Sequence, residues 1–170
     1  QKQNATTVDQ SLTRSATSLS NFINHLNSTY PQQEVTRTVY DAKPVWNVAN
    51  MPPTGFVGEA HTLRNRVSYT QYFDSYQYSG STPDYAAYAS AVYYNYDIHG
   101  NVRQLLNHYN QAALGTFPNN LNAYKLIEYQ YDLISGKVNS VAYQPGFADQ
   151  FYHRYEYDAE NRLTNVYTTT

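Results

Sequence analysis

Three aspartates, Asp97, Asp132 and Asp158, stand in the same local setting, and their spacing comes closer to chemistry than that of any other group in the chain. A row of carboxylates is what general acid catalysis or a calcium site would use. Each, however, directly follows a Tyr-x-Tyr pair and shortly precedes a Gly or Asn. A carboxylate in that place bonds the backbone two residues on and starts a turn. The turn accounts for all three, and they are read as structural. The five histidines (His25, His61, His99, His108 and His153) are scattered, without the spacing of a helical metal site and without a cysteine to assist. His99 falls in a hairpin turn, and His153 alternates with Phe151 and Tyr155 along a strand. No Gly-x-Ser-x-Gly elbow and no Gly-rich phosphate loop occurs. The expectation is a chain that is not an enzyme, with no catalytic, cofactor-binding or metal-ligating residues and no cofactor.

The elements that place these aspartates are three repeated units: Tyr94-Asn95-Tyr96-Asp97 with Gly100, Tyr129-Gln130-Tyr131-Asp132 with Gly136, and Tyr155-Glu156-Tyr157-Asp158 with Asn161. Each reads as a hairpin. Side chains alternate across a strand, so both tyrosines of a copy share one face. Gly and Asn are the residue types that best tolerate positive φ, which is expected at Gly100 and Asn161. Gly136 follows Tyr131 by one residue more, so its turn is longer. Returning strands follow at Val102 to Leu105, Val138 to Val141 and Leu163 to Val166. Their apolar residues recur at the first and fourth positions, opposite faces of a regular strand. Either both faces are partly buried or a bulge intervenes. A unit this short cannot bury its own apolar face and must stack on neighbours.

The pattern Tyr-x-Tyr-Asp-x-x-Gly/Asn-Asn/Arg-Val/Leu resembles the tyrosine-aspartate (YD) repeat of the Rhs family. Residues 131–138 and 155–163 are similar to versions common in Bacteroidetes members. The resemblance covers residues 63 to 170 well and the first 62 poorly. It implies a large secreted or cell-surface protein whose β-hairpins spiral into a hollow shell, commonly housing a C-terminal toxin or effector domain. The family's self-cleaving Asp-Pro-Gly segment has no counterpart here.

Composition is compatible with such a wall. The chain has 170 residues and is 41% hydrophobic, yet 20 of its residues are tyrosine against six Phe and one Trp. Tyrosine suits a half-wet surface, ring packed and hydroxyl in water. A net charge of −2 and a charged fraction of 14% leave no electrostatic footprint for nucleic acid. No run is long enough for a membrane span. The absence of cysteine excludes disulfide staples. The chain opens on Gln1 and closes in mid-pattern at Thr168-Thr169-Thr170, so the expectation is an excerpt of a longer chain.

The fold expected is mainly β: an antiparallel β-hairpin repeat sheet with a short N-terminal amphipathic helix. Residues 1–62 read as helix plus extended connector and 63–170 as the sheet, with hairpins at about 88–109, 124–143 and 150–168. Val8, Leu12, Ala16, Leu19, Ile23 and Leu26 form a helical seam within 6–28, after Thr6-Thr7 as caps; the alternative there is a frayed polar linker. Val35 to Tyr40 reads as a short strand, and 41–62, with Pro44, Pro52, Pro53, Gly55 and Gly58, as a connector. From Leu63 through Phe73 the pattern alternates as a strand. Residues 79–83, 114–120 and 144–146 read as loops. About seven strands are expected in 63–170, with turns at 97–101, 132–137 and 158–162.

Two functions fit. In the first the tyrosines stiffen a wall that encloses or presents a toxin or effector, with flanking repeats of the same chain as partners. In the alternative they form a carbohydrate-binding or adhesive surface whose partner is a glycan. Recurrence at turn-linked positions, without clustering into one patch, favours the wall.

Overall fold

A computed structural model describes residues 17, 20, 21, 32–44, 56, 63–76, 78, 79, 82–110 and 123–170. The helix expected at 6–28, apart from Thr17, Ser20 and Asn21, and the loop expected at 114–120 lie outside the described residues, as does most of the 41–62 connector.

The described residues form β1 (Gln32–Tyr40), β2 (Val67–Tyr76), β3 (Tyr78–Ser79), β4 (Thr82–Pro83), β5 (Ser90–Tyr96), β6 (Val102–Tyr109), β7 (Tyr124–Tyr131), β8 (Val138–Tyr143), β9 (Phe151–Tyr157) and β10 (Leu163–Thr169). The fold is mainly β. Eight strands make one antiparallel sheet in the order β1-β2-β5-β6-β7-β8-β9-β10, while β3 and β4 pair separately. The β5–β6, β7–β8 and β9–β10 neighbours follow from their short turns, because a tight turn can join only antiparallel neighbours.

Three expectations are corrected. The sheet reaches back beyond residue 63, since β1 is its first strand. The alternating run from Leu63 becomes a strand only at Val67. Residues 63–66 turn instead, with Asn65 at a φ of 57° and Leu63 fully buried. Residues 79–83 carry the short β3–β4 hairpin rather than a plain loop.

The chain divides into two compact units. The smaller comprises residues 1–35 and 73–87. It holds the β3–β4 pair and an aromatic contact in which Phe73, fully buried, meets Tyr76 edge-on at 4.9 Å. The larger comprises 36–72 and 88–170 and holds the three Tyr-x-Tyr-Asp hairpins.

Within the larger unit the hairpins share one register. Tyr94 faces Leu105 and Tyr96 faces Val102. Tyr129 faces Val141 and Tyr131 faces Val138. Tyr155 faces Val166 and Tyr157 faces Leu163. In each hairpin the register shifts once between those pairs, leaving Arg103, Asn139 and Thr164 as the extra residues. This bulge brings the first and fourth residues of the returning strand onto one face, opposite both tyrosines. Cross-strand packing is therefore tyrosine on aliphatic, roughly 0.2–1 kcal/mol per pair. Tyrosine stacks on tyrosine along the strand, at 6.4 Å for Tyr94–Tyr96 and for Tyr129–Tyr131. In the third hairpin the stacked pair is His153–Tyr155, at 6.0 Å.

The Tyr-x-Tyr face is half-buried. The deeper core lies on the other face of β5–β7, with Ala91, Tyr93, Leu106, Tyr124 and Leu126. Burial fades toward β10, every residue of which is exposed.

Candidate functional site

Each aspartate closes its turn as the sequence predicts. Asp97 Oδ1 accepts from the His99 and Asn101 amides, and Oδ2 from Asn101 Nδ2. Asp132 Oδ1 accepts from the Ile134 and Ser135 amides. Asp158 Oδ1 accepts from the Glu160 and Arg162 amides, and Oδ2 from Arg162 Nε at 2.7 Å. The Ser135 amide holds the Asp132 carboxyl below its ordinary range, and the Arg162 amide does the same for Asp158. At Asp97 burial pushes the carboxyl up, but the bonds from Asn101, His99 and Gly100 together outweigh it and bring the pKa down. The backbone then seals each loop: the amides of Asp97, Asp132 and Asp158 donate to the carbonyls of Asn101, Lys137 and Arg162. Gly100, Gly136 and Asn161 take φ values of 99°, 70° and 62°, the conformation that Gly and Asn accept at least cost.

The second tyrosine of each copy does something the spacing does not reveal. Tyr96 donates its hydroxyl to the Val67 carbonyl, Tyr131 to that of Val102, and Tyr157 to that of Val138, each at 2.9 Å. The acceptor is always the first residue of the preceding hairpin's returning strand. Every hairpin is thus clasped to the one before it by the same bond. Burial raises the Tyr96 and Tyr131 hydroxyls above the ordinary phenol range, which keeps them protonated donors.

The Val67 acceptor exposes a fourth copy. Tyr40-Asp41 stands at the end of β1, and Asn65-Arg66-Val67 leads into β2, as Asn161-Arg162-Leu163 leads into β10. The Asp41 amide donates to the Arg66 carbonyl, the bond that seals the other three loops, and the Asn65 amide donates to Asp41 Oδ1. Residues 42 to 64 are inserted between the two halves, and Thr38 replaces the first tyrosine. Arg66 lies over the Tyr96 ring, 5.3 Å from its centroid, and its Nη2 stands only 2.7 Å from where a Cβ on Gly100 would lie.

The middle residue of each Tyr-x-Tyr bonds across the strand on the other face. Asn95 donates to Gln104, Gln130 accepts from Ser140, and Glu156 accepts from Asn165. Gln104 passes the ladder on to Glu128 at 2.7 Å. Sequence reasoning missed these residues; the signal was that x is an amide or carboxylate in all three Tyr-x-Tyr-Asp copies.

Of the five histidines, His108 alone stands among the buried residues described, stacked on Tyr124 at 4.2 Å with its Nδ1 2.6 Å from the Tyr88 hydroxyl. Burial pushes its pKa down to about 4, so the ring is neutral at neutral pH and shares a hydrogen bond with the Tyr88 hydroxyl. Tyr88 also lies 3.2 Å from the Tyr93 hydroxyl. Burial raises the Tyr93 and Tyr124 hydroxyls as well. His153 is walled between Phe151 and Tyr155, and its Nδ1 is buried without a hydrogen-bond partner among the described residues. His99 is exposed in its turn; His25 and His61 lie outside the described residues.

Between the second and third turns an open groove of about 570 Å³ is lined by Asp132, Ser135, Asn139, Tyr155, Tyr157 and Asp158, among others. The signature residues Tyr94, Tyr96, Asp97, Gly100, Tyr129, Tyr131, Asp132, Gly136, Tyr155, Tyr157, Asp158 and Asn161 thus occupy equivalent positions at one end of three hairpins. No known protein family, curated protein or solved structure matches the chain.

Proposed function

We propose that the chain is a structural, non-enzymatic segment of a secreted or cell-surface Rhs/YD-repeat shell that encloses or presents a C-terminal toxin or effector. The observation that supports this reading is the clasp. Three successive hairpins use one hydroxyl-to-carbonyl bond, one sealed turn and one bulge, so the unit is built to be added to its own kind. Function then lies in what the wall separates, and the carboxylates serve the turns instead of a reaction. Flanking repeats of the same chain are the expected neighbours in the parent protein.

Electron microscopy of the intact parent protein, with limited proteolysis of its C-terminal region, tests the reading. A hollow particle with a protected C-terminal region is expected. A solid particle, or a C-terminal region cut as fast as a free domain, would overturn it.

The second reading, a glycan-binding surface, draws on the groove between the second and third turns, where tyrosine rings and polar groups meet as in sugar sites. Glycan-array binding abolished by Tyr155→Ala with the sheet intact would reverse the order of the two.

A further inference from the structure

In the deeper core, four side chains form one connected group that neither the turns nor the clasps use. The Tyr88 hydroxyl lies 2.6 Å from His108 Nδ1 and 3.2 Å from the Tyr93 hydroxyl. Tyr124 stacks on the imidazole at 4.2 Å, with the planes 15° apart. None of the four is more than 9% exposed. One route leads outward, since the Tyr93 ring packs at 5.4 Å against Tyr69 of β2, which is half-buried.

A phenol gives up an electron readily only when its proton can leave as well, and the proton needs a base. His108 is such a base, neutral at neutral pH because burial pushes its pKa down to about 4. A phenol that has lost an electron is a far stronger acid than imidazolium, so even a base weakened by burial takes the proton. The Tyr124 face then lies against the new imidazolium, a cation–π contact in a desolvated site. Other hydroxyls lack this combination. The clasp tyrosines Tyr96, Tyr131 and Tyr157 donate to backbone carbonyls, which cannot take a proton. Tyr167 meets the Glu156 carboxylate at 3.2 Å but is 51% exposed.

We propose that this group is a one-electron redox site, in which Tyr88 is reversibly oxidised to a neutral tyrosyl radical while its proton moves to His108 Nδ1. The Tyr88 O–H bond breaks and an N–H bond forms on His108. The electron passes by way of Tyr93 and Tyr69 to an oxidising radical of the peroxyl class. That oxidant takes the electron and a proton from water and becomes a hydroperoxide. Tyr93 faces another phenol, a poor base, and so relays the electron without keeping the radical. An enediol reductant such as ascorbate returns the electron, releasing its own proton to water, and the proton on Nδ1 goes back to the Tyr88 oxygen. Burial keeps the radical away from other chains, so it does not couple into dityrosine. The site is independent of the repeat-wall reading.

Substoichiometric photogenerated ruthenium(III) tris-bipyridine, followed by electron paramagnetic resonance and dityrosine fluorescence, tests this. The unsubstituted chain should give a persistent tyrosyl signal that ascorbate quenches, with little dityrosine. Folded Tyr88→Phe should lose the persistent signal and gain dityrosine. Folded His108→Gln should lose it too, although Tyr88 remains, because glutamine accepts a hydrogen bond but not a proton. A persistent signal surviving in either folded variant would overturn the proposal, as would an unsubstituted chain whose radicals decay as fast as those of the urea-unfolded chain. One reading needs no variant. With 15N-labelled histidine, the radical of the unsubstituted chain should show coupling to a histidine nitrogen, and the absence of that coupling would equally overturn the proposal. None of these outcomes decides the shell, which microscopy of the intact parent protein judges separately.

Discussion

The Tyr131 hydroxyl donates to the Val102 carbonyl at 2.9 Å, tying the second Tyr-x-Tyr-Asp hairpin to the first across two strands. Tyr129, two residues earlier on the same face, stacks on Tyr131 but makes no such bond among the described residues. The pair separates ring from hydroxyl. Tyr131→Phe should destabilise the sheet by about 1 kcal/mol, whereas Tyr129→Phe should be near neutral. Urea denaturation reads the difference, and equal effects would show the hydroxyl to be idle. Tyr96→Phe, Tyr131→Phe and Tyr157→Phe combined should cost about the sum of the three, since the clasps share no partner.

Gly100 and Gly136 both hold positive φ, but their surroundings differ. A side chain at Gly136 would meet nothing within 4 Å, whereas one at Gly100 would displace the Arg66 guanidinium from above Tyr96. Gly136→Asn should therefore be nearly neutral and Gly100→Asn measurably worse. Gly100→Val should cost more than about 1 kcal/mol, because a β-branched residue resists that backbone. Thermal melts of the three variants check this ranking.

Stability should fall in two steps on acidification. His108, with its pKa pushed down to about 4 by burial, is neutral in the folded chain where the unfolded chain, titrating near 6.5, is protonated. The unfolded state binds the extra proton between those values, so stability rises with pH across the window and is lost as pH falls from about 6.5 to 4. The loss is at most roughly 3 kcal/mol. The turn carboxylates Asp97, Asp132 and Asp158 are lowered when folded. Their contribution is present above the ordinary carboxylate pKa and is lost as pH falls through their folded values. A pH series of urea midpoints should show both steps, with His108→Gln removing only the first.

Leu63 lies in a turn yet is fully buried, whereas Leu133 and Ile134 in the second turn are 80% and 98% exposed. Leu63→Ala should cost about 2–4 kcal/mol, and Leu133→Ala or Ile134→Ala almost nothing. Denaturation midpoints would expose a failure of this contrast at once.

Much of the larger unit was legible because its signals are local. The Tyr-x-Tyr alternation, the aspartate and the Gly or Asn after it lie within a few residues of one another, and the three hairpins and their turns follow. The bulges at Arg103, Asn139 and Thr164 were one of two readings of the spacing, and only the cross-strand register decides between them. The copy shared by β1 and β2 escaped notice because 42 to 64 separates Asp41 from Asn65, although Asn65-Arg66-Val67 repeats Asn161-Arg162-Leu163 closely. The clasps join residues 19 to 29 positions apart, and His108 meets Tyr88 and Tyr124 from neighbouring segments, beyond any short window. Nothing in a short window marks a single histidine near a strand end as buried.

The seal between each turn aspartate and the residue before the returning strand holds whether the loop is short, as at Asp97, one residue longer, as at Asp132, or very long, as at Asp41. Length variation in these turns is thereby kept from propagating into the pairing beyond them. Such turns are a natural place for grafting. A peptide epitope spliced between Asp132 and Lys137 should be displayed at the edge of the wall while the strands behind it keep their partners, which makes the repeat a scaffold whose cargo can be exchanged one turn at a time.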